Sequence, residues 1–446
     1  MNLLFACHQF LPEHIGGTEI YTRSLASRAM EEGWNVLVVS YVENPSGKLE
    51  DSHLSWSHYE SIPTAKIHFN LSLTENPMRA EYNNDYLIPF WDEITSRFLP
   101  DLVHHTHSMK LSGSALNYFS ERNIPNILTM PDYWYVCPRH TLVRWNDEVC
   151  NGPRSFYDCL KCVQDTHGFF PENVQEMSPL ASYCFLGKHD VLPVPPADPS
   201  IKQAAKALRK RESFLRKTAM RADHILALSR FQRKILLKRG YSSKRLTFLP
   251  HGIETEGLSI RSPKEARDKS LRISFIGSLV PHKGLSTLLE AFALAKNPLL
   301  HLTIYGSLDV QNMYHSELKA KVDRMERVEF GGTFHFKEIG HILNQTEILA
   351  MPANWYENDP FVVKYALYCH IPVLASDIGS LSEMITHGSS GWLLPRANVK
   401  AWADTLREIK PGSLPDFQET SYTVPLMDDH YASVSKLYKE CTQKHA

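Results

Sequence analysis

The chain is expected to be α/β, built as two doubly wound, Rossmann-like domains that face a central cleft. Three observations predict this. Its 446 residues exceed what one ordinary core holds and suit two. Short apolar runs alternate with helical patterns, the rhythm of parallel sheets covered by helices. That rhythm stops near residue 133 and a second series starts near 271, dividing the chain.

In chain order, Leu3-Leu4-Phe5-Ala6 reads as a buried strand, Thr22 to Gly33 as a helix closed by glycine, and Asn35 to Ser40 as the next strand. Leu102-Val103-His104 and Ile127 to Met130 continue the sheet. Residues 133–200 hold a cysteine cluster and the proline-rich run Val191 to Pro199, and read as an insertion or lid. Helical pattern returns at 201–221, followed by a strand at Ile225 to Leu228. In the second half, strands are expected at Arg272–Ile276, His301–Tyr305, Val328–Phe330, Ile348–Met351 and Pro372–Ala375, with a helix from Leu285 to Leu294. The expected domains are 1–250, carrying the insertion, and 251–420. A terminal helix in 421–446 is expected to pack back on the first domain.

Composition narrows the function classes. Lys+Arg 48 against Asp+Glu 49 leaves a net charge of -1, so bulk charge offers no case for nucleic acid. No apolar run approaches the roughly 18 residues of a spanning helix. Met1 to Val42 shows neither basic leader nor cleavage site, so no signal peptide and a cytoplasmic location are expected. In a reducing compartment, clustered cysteines suggest metal rather than disulfides. Cys137, Cys150, Cys159 and Cys162 include one Cys-x-x-Cys pair, a donor set that suits a structural, four-thiolate zinc. Free buried thiols or an iron–sulfur cluster remain open alternatives. The segment 202–221 carries eight basic residues against the single acid Glu212, with an apolar stripe of Ala204, Leu208, Leu215 and Ala219. It is either a solvated helix face or a peripheral contact with an anionic membrane.

Several short motifs carry ligand chemistry. Gly16-Gly17-Thr18-Glu19 lets backbone approach a ligand just before a helix; the alternative is a tight turn needing positive φ. Gly277-Ser278-Leu279-Val280-Pro281-His282-Lys283-Gly284 places a point-charge ammonium beside backbone donors. Glu357 lies in Asn354-Trp355-Tyr356-Glu357-Asn358-Asp359-Pro360-Phe361, and Gly379 and Glu383 lie in a later loop. His104-His105-Thr106-His107 ends a strand, where His105 or His107 could meet a substrate.

The order and spacing of these pieces, from Pro12 to about Ala403, resemble the retaining GT-B glycosyltransferases of family 4, which use nucleotide sugars. The resemblance implies transfer of a sugar from a nucleotide-diphosphate donor, UDP- or GDP-linked, to a glycan or lipid-linked glycan, as in polysaccharide biosynthesis. It implies no catalytic metal. Lys283 would face the diphosphate, Glu357 the transferred sugar, and His107 would join them in catalysis. Gly16, Gly17, Gly277, Ser278, Tyr365, Gly379 and Glu383 would complete the donor site. Two positions depart from the pattern. Eight residues after Glu357, where relatives carry a ribose-holding Glu, stands Tyr365. In Thr129-Met130-Pro131-Asp132, Pro131 replaces a histidine and carries no proton. Many relatives also have Arg where this chain has Ser278. A degenerate protein that binds a nucleotide sugar or a partner without transfer is the alternative. A sugar-nucleotide epimerase of the same fold would need a second carboxylate beside Glu357, and only Asp359 offers one.

Overall fold

The computed structural model describes residues 1–152, 156–167, 199–261, 270–417 and 420–445. Cys184 and the proline-rich run 191–198 lie outside them. The chain divides into unit 1, comprising Met1–Leu228, Gln232–Pro250 and Asp428–Ala446, and unit 2, comprising Ser229–Phe231 and His251–Met427.

Over the described residues unit 1 holds eight strands: β1 (Asn2–Cys7), β2 (Asn35–Glu43), β3 (His53–Tyr59), β4 (Ile62–Phe69), β5 (Leu102–His105), β6 (Asn126–Met130), β7 (His224–Ala227) and β8 (Leu246–Phe248). Their order is β3-β4-β2-β1-β5-β6-β7-β8, parallel except for the β3–β4 hairpin at one edge. The hairpin was not legible in the sequence, because β3 is an edge strand with mostly exposed, polar residues and no buried alternate face. Leu4, Val39, Ile67, Trp91 and Phe119 form part of a core beside the sheet.

The helix expected from Thr22 begins five residues earlier and runs Gly17–Glu31. Gly16 is its N-cap with φ -153, so the Gly-Gly pair does not serve a positive-φ turn. A helix spans Pro199–Ala219. Its apolar stripe is covered inside unit 1: Ala204, Leu208, Leu215 and Ala219 are all buried. So is Arg211, which forks onto Glu81 with both contacts at 3.1 Å and lies over the Trp134 ring. The outward face shows Lys206, Arg209, Lys210 and Lys217.

The last helix, Met427–His445, belongs almost wholly to unit 1. Tyr438 is fully buried and meets His104 Nδ1 at 2.6 Å, while His430 meets the Tyr21 hydroxyl at 3.0 Å.

Unit 2 is a parallel sheet of β9 (Leu271–Ile276), β10 (Leu300–Tyr305), β11 (Val328–Gly332), β12 (Ile348–Met351), β13 (Val373–Ser376) and β14 (Gly391–Leu394). The order is β11-β10-β9-β12-β13-β14. Phe275, Leu288, Ile304 and Trp402 are among its core residues.

In both units the strand order reverses beside the first strand: between β1 and β5 in unit 1, and between β9 and β12 in unit 2. Ligands of such sheets bind outside the strand C-termini at these switch points.

Candidate functional site

The unit 2 switch point brings together the loops after β9 and β12. Gly284 takes φ 76, and a Cβ there would stand 1.8 Å from the Pro352 carbonyl oxygen. Only glycine permits this approach. Asn354 N–H then donates to His282 O at 2.8 Å, locking the two loops together. Lys283 follows from that contact: its Nζ reaches Glu357 Oε1 at 2.6 Å and lies 5.0 Å from the centre of the Trp355 ring.

Trp355 Nε1 donates to the same Oε1 at 2.7 Å. Glu357 Oε2 therefore takes no hydrogen bond among the described residues. The Glu357 side chain is largely buried, yet one lone-pair-rich oxygen stays available to a hydroxyl. From the loop after β13, Gly379 at φ 62 closes on Glu357, and a Cβ there would come within 3.0 Å of Glu357 O. Ser380 N–H donates to that carbonyl at 3.1 Å. Lys283, Glu357 and Gly379 thus form one constellation. Gly277 and Ser278 lead into it, with Gly277 N–H donating to Tyr305 O at 3.0 Å and Ser278 exposed.

Glu383 and Tyr365 make separate contacts. Glu383 Oε2 accepts from Arg230 N–H at 2.9 Å. Burial raises its pKa, opposed by the Arg230 and Phe231 N–H groups. Tyr365 packs toward Phe361; burial, then the charge of Glu254, pushes its phenol up to about 12. Asp359 does not stand as a second carboxylate beside Glu357. It pairs with fully buried Lys364 at 2.6 Å.

In unit 1, Gly16, Gly17 and His107 lie around the end of β1 and β5. His105 does not face a substrate: it is fully buried, its Nε2 against Asn126 Oδ1 at 2.8 Å. His107 Nδ1 accepts Met109 N–H at 3.0 Å, which leaves Nε2 carrying the hydrogen toward Asp132 at 3.1 Å. Burial would raise Asp132, but the His107 charge and hydrogen bond outweigh it and hold the carboxyl down at about 2.

Among the four clustered cysteines, Cys159 and Cys162 share a face of the helix Phe156–His167. Burial raises the Cys159 thiol, and so would the charges of Cys137, Cys162 and Cys150, which places all four in one neighbourhood. Burial, with a smaller push from the Cys150 charge, takes Cys137 up to about 11 despite backbone donors. Among the described residues no three of these sulfurs lie within 4.8 Å of one another. The donor set fits a thiolate-binding ion in kind, while the spacing is wider than a closed tetrahedral site requires.

The sequence reading missed Trp355, Cys7, His8 and the Asp132–His107 contact. Trp355 sits next to Tyr356-Glu357, and an aromatic two residues from a site carboxylate is the signal that could have found it.

This geometry defines a protein of GT-B fold, and comparison with known proteins agrees. Residues 258–414 match the family described as Glycosyl transferases group 1. The amylovoran biosynthesis glycosyltransferase AmsK of Erwinia amylovora is 26% identical over 195 residues, covering 42% of this chain and 47% of that protein. The D-inositol 3-phosphate glycosyltransferase of Jonesia denitrificans is 29% identical over 143 residues, covering 30% of this chain and 34% of that protein. The chain thus spans half or less of the length of these curated relatives. Sucrose-phosphate synthase of Thermosynechococcus elongatus superposes with a TM-score of 0.63 at 16% identity, covering 99% of both chains. Anabaena HepE in complex with UDP superposes with a TM-score of 0.59 at 16% identity, covering 100% of this chain and 98% of that one. The Lys283–Glu357 constellation falls inside the segment matched to the family.

Proposed function

We propose that the protein is a glycosyltransferase that moves a sugar from a nucleotide-diphosphate donor, UDP- or GDP-linked, to a glycan or lipid-linked glycan, with retention of the anomeric configuration. One observation carries the reading: at the unit 2 switch point a lysine ammonium and a carboxylate with one open oxygen stand together. Glycosyl transfer expels a diphosphate, whose developing charge needs a cation. Lys283 meets it, aided by backbone N–H groups at the start of the helix Leu285–Ala295. Glu357 Oε2 accepts a sugar hydroxyl, and the Lys283 and Trp355 bonds to Oε1 hold the carboxylate in place. Gly277, Ser278 and Gly379 line the donor site, and Tyr365 takes a ribose hydroxyl through its phenol. Unit 1, through Gly17 and His107, holds the acceptor. The relative named for amylovoran biosynthesis supports a polysaccharide role.

The cysteines 137, 150, 159 and 162 are proposed to hold a structural zinc, their thiolates drawing in around the ion. Among the described residues no helix is long and apolar enough to cross a membrane. The proposed enzyme works in the cytoplasm, with the basic outer face of Pro199–Ala219 resting on anionic lipid.

A screen of the purified protein against UDP-, GDP- and ADP-sugars tests the reading, since a ligand that binds the native state raises its melting temperature. Stabilisation by one donor, followed by its turnover in the presence of acceptor glycans, is the expected result. No stabilisation by any donor sinks it. Tyr365 at the carboxylate position and Pro131 favour a second reading, a protein that binds the donor without transfer. Stabilisation with no turnover of any donor, by transfer or hydrolysis, would favour that one.

A further inference from the structure

At the unit 1 switch point, Cys7 ends β1 and His8 follows it. Glu19 and Thr22 lie one turn apart on the helix Gly17–Glu31 and face that strand end. The thiol sulfur of Cys7, an imidazole nitrogen of His8 and a carboxylate oxygen of Glu19 lie within 4.8 Å of one another. Among the described residues no other trio of such side chains does.

His8 Nε2 stands 3.5 Å from Glu19 Oε1. That is too long for a good hydrogen bond. It is close to the separation of about 3.3–3.5 Å between two ligands on a tetrahedral ion with bonds of about 2.0–2.1 Å. His8 Nδ1 is buried with no hydrogen-bond partner among the described residues. The Cys7 sulfur is fully buried but ringed by donors: Thr22 Oγ1 at 3.5 Å, the Thr106 hydroxyl and Gln9 N–H. The neighbouring His107 ring, 4.3 Å from that of His8, has both nitrogens engaged and is not a ligand.

We infer that Cys7, His8 and Glu19 form a site for one divalent ion of borderline softness, Zn²⁺ above all. The ligand types match that ion, and a thiolate with a carboxylate would neutralise it inside a low-dielectric pocket. Three protein ligands leave a fourth position for water or a substrate oxygen, the pattern of an open site rather than a closed one. The ion would act on unit 1's own ligand and not on the diphosphate.

Cobalt titration of the chelator-treated full chain tests this, because a thiolate bound to Co²⁺ gives a near-ultraviolet charge-transfer band. The Cys159→Ser/Cys162→Ser chain removes the rival cysteine cluster. It is expected to bind one Co²⁺ with that band, and Zn²⁺ is expected to displace it. Adding Cys7→Ser should abolish the band. Glu19→Gln, which keeps the side-chain shape and guards against misfolding of the Cys7 variant, should weaken cobalt binding at least tenfold. The inference is overturned if the Cys159→Ser/Cys162→Ser chain takes up no cobalt, if the band survives Cys7→Ser, or if Glu19→Gln binds cobalt as tightly as its parent.

Discussion

Two lysine–carboxylate pairs of unit 2 whose carboxylates are buried have the same length, and their contrast shows what an ion-pair distance does not reveal. Lys283 meets Glu357 at 2.6 Å, and Lys364 meets Asp359 at 2.6 Å, the two acids only two residues apart. Lys364 is 0% exposed, donates to His251 O at 2.5 Å as well, and shares Asp359 with His251 N–H at 2.7 Å. Burial pushes Asp359 up and Lys364 down, and each is opposed by the partner's charge. This is a saturated cluster that ties the helix Phe361–Tyr368 to His251. Lys283 is 20% exposed, and its partner keeps an oxygen open. One pair is closed on itself and supports the fold; the other is arranged to receive a ligand.

The largest effect is expected at the closed pair. Lys364→Met leaves Asp359 buried without its cation and should cost about 3–5 kcal/mol in urea unfolding. A loss under about 1 kcal/mol would erase the distinction drawn here.

A buried group with no charge to pair sharpens it further. Burial holds His105 down at about 4, against the raising effect of its Asn126 bond. The unfolded chain's histidine takes up its proton below about 6.5. Its contribution is therefore complete above that pH and is lost as pH falls toward 4, up to about 3 kcal/mol. His105→Asn should flatten the fall in unfolding midpoint between pH 7 and pH 5. An unaltered slope would assign the acid sensitivity to other groups.

Lys283→Ala should do the reverse of Lys364→Met. Its unfolding free energy should move by less than about 1 kcal/mol, while nucleotide-diphosphate affinity, read by calorimetry, drops by about 1.5–3 kcal/mol. An unchanged affinity would mean that the phosphates are held elsewhere. Tyr365→Phe is the smallest step, about 1 kcal/mol for one neutral hydrogen bond to the ribose. Equal donor binding in this variant would remove the phenol from the site.

The alternation of apolar runs made most parallel strands legible, since a strand buried on both faces needs a continuous apolar stretch. Ile348–Met351 was read to the residue. The β3–β4 hairpin was not, because an edge strand is held by backbone pairing that leaves little trace in side-chain pattern. For the site, Gly284 and Lys283 could be read from local chemistry. The Lys283–Glu357 contact spans 74 positions and depends on how β9 and β12 align. The Asp359–Lys364 pair was invisible for the opposite reason. Its residues sit only five positions apart, Asp359 lying just before the helix Phe361–Tyr368, and only burial marks the pair as structural.

The chain's return to unit 1 at Asp428 has a consequence for biosynthesis. Tyr438 and His430 are buried against His104 and Tyr21, which lie 334 and 409 positions earlier in the chain. Unit 1 therefore cannot finish folding when its first 250 residues leave the ribosome. At roughly 5–20 residues per second, its apolar docking face waits about 10–35 s for residues 428–445, while all of unit 2 is being made. During that interval the nascent chain presents the bed of that helix, Tyr21 and His104 included, to whatever chaperone stands at the exit tunnel.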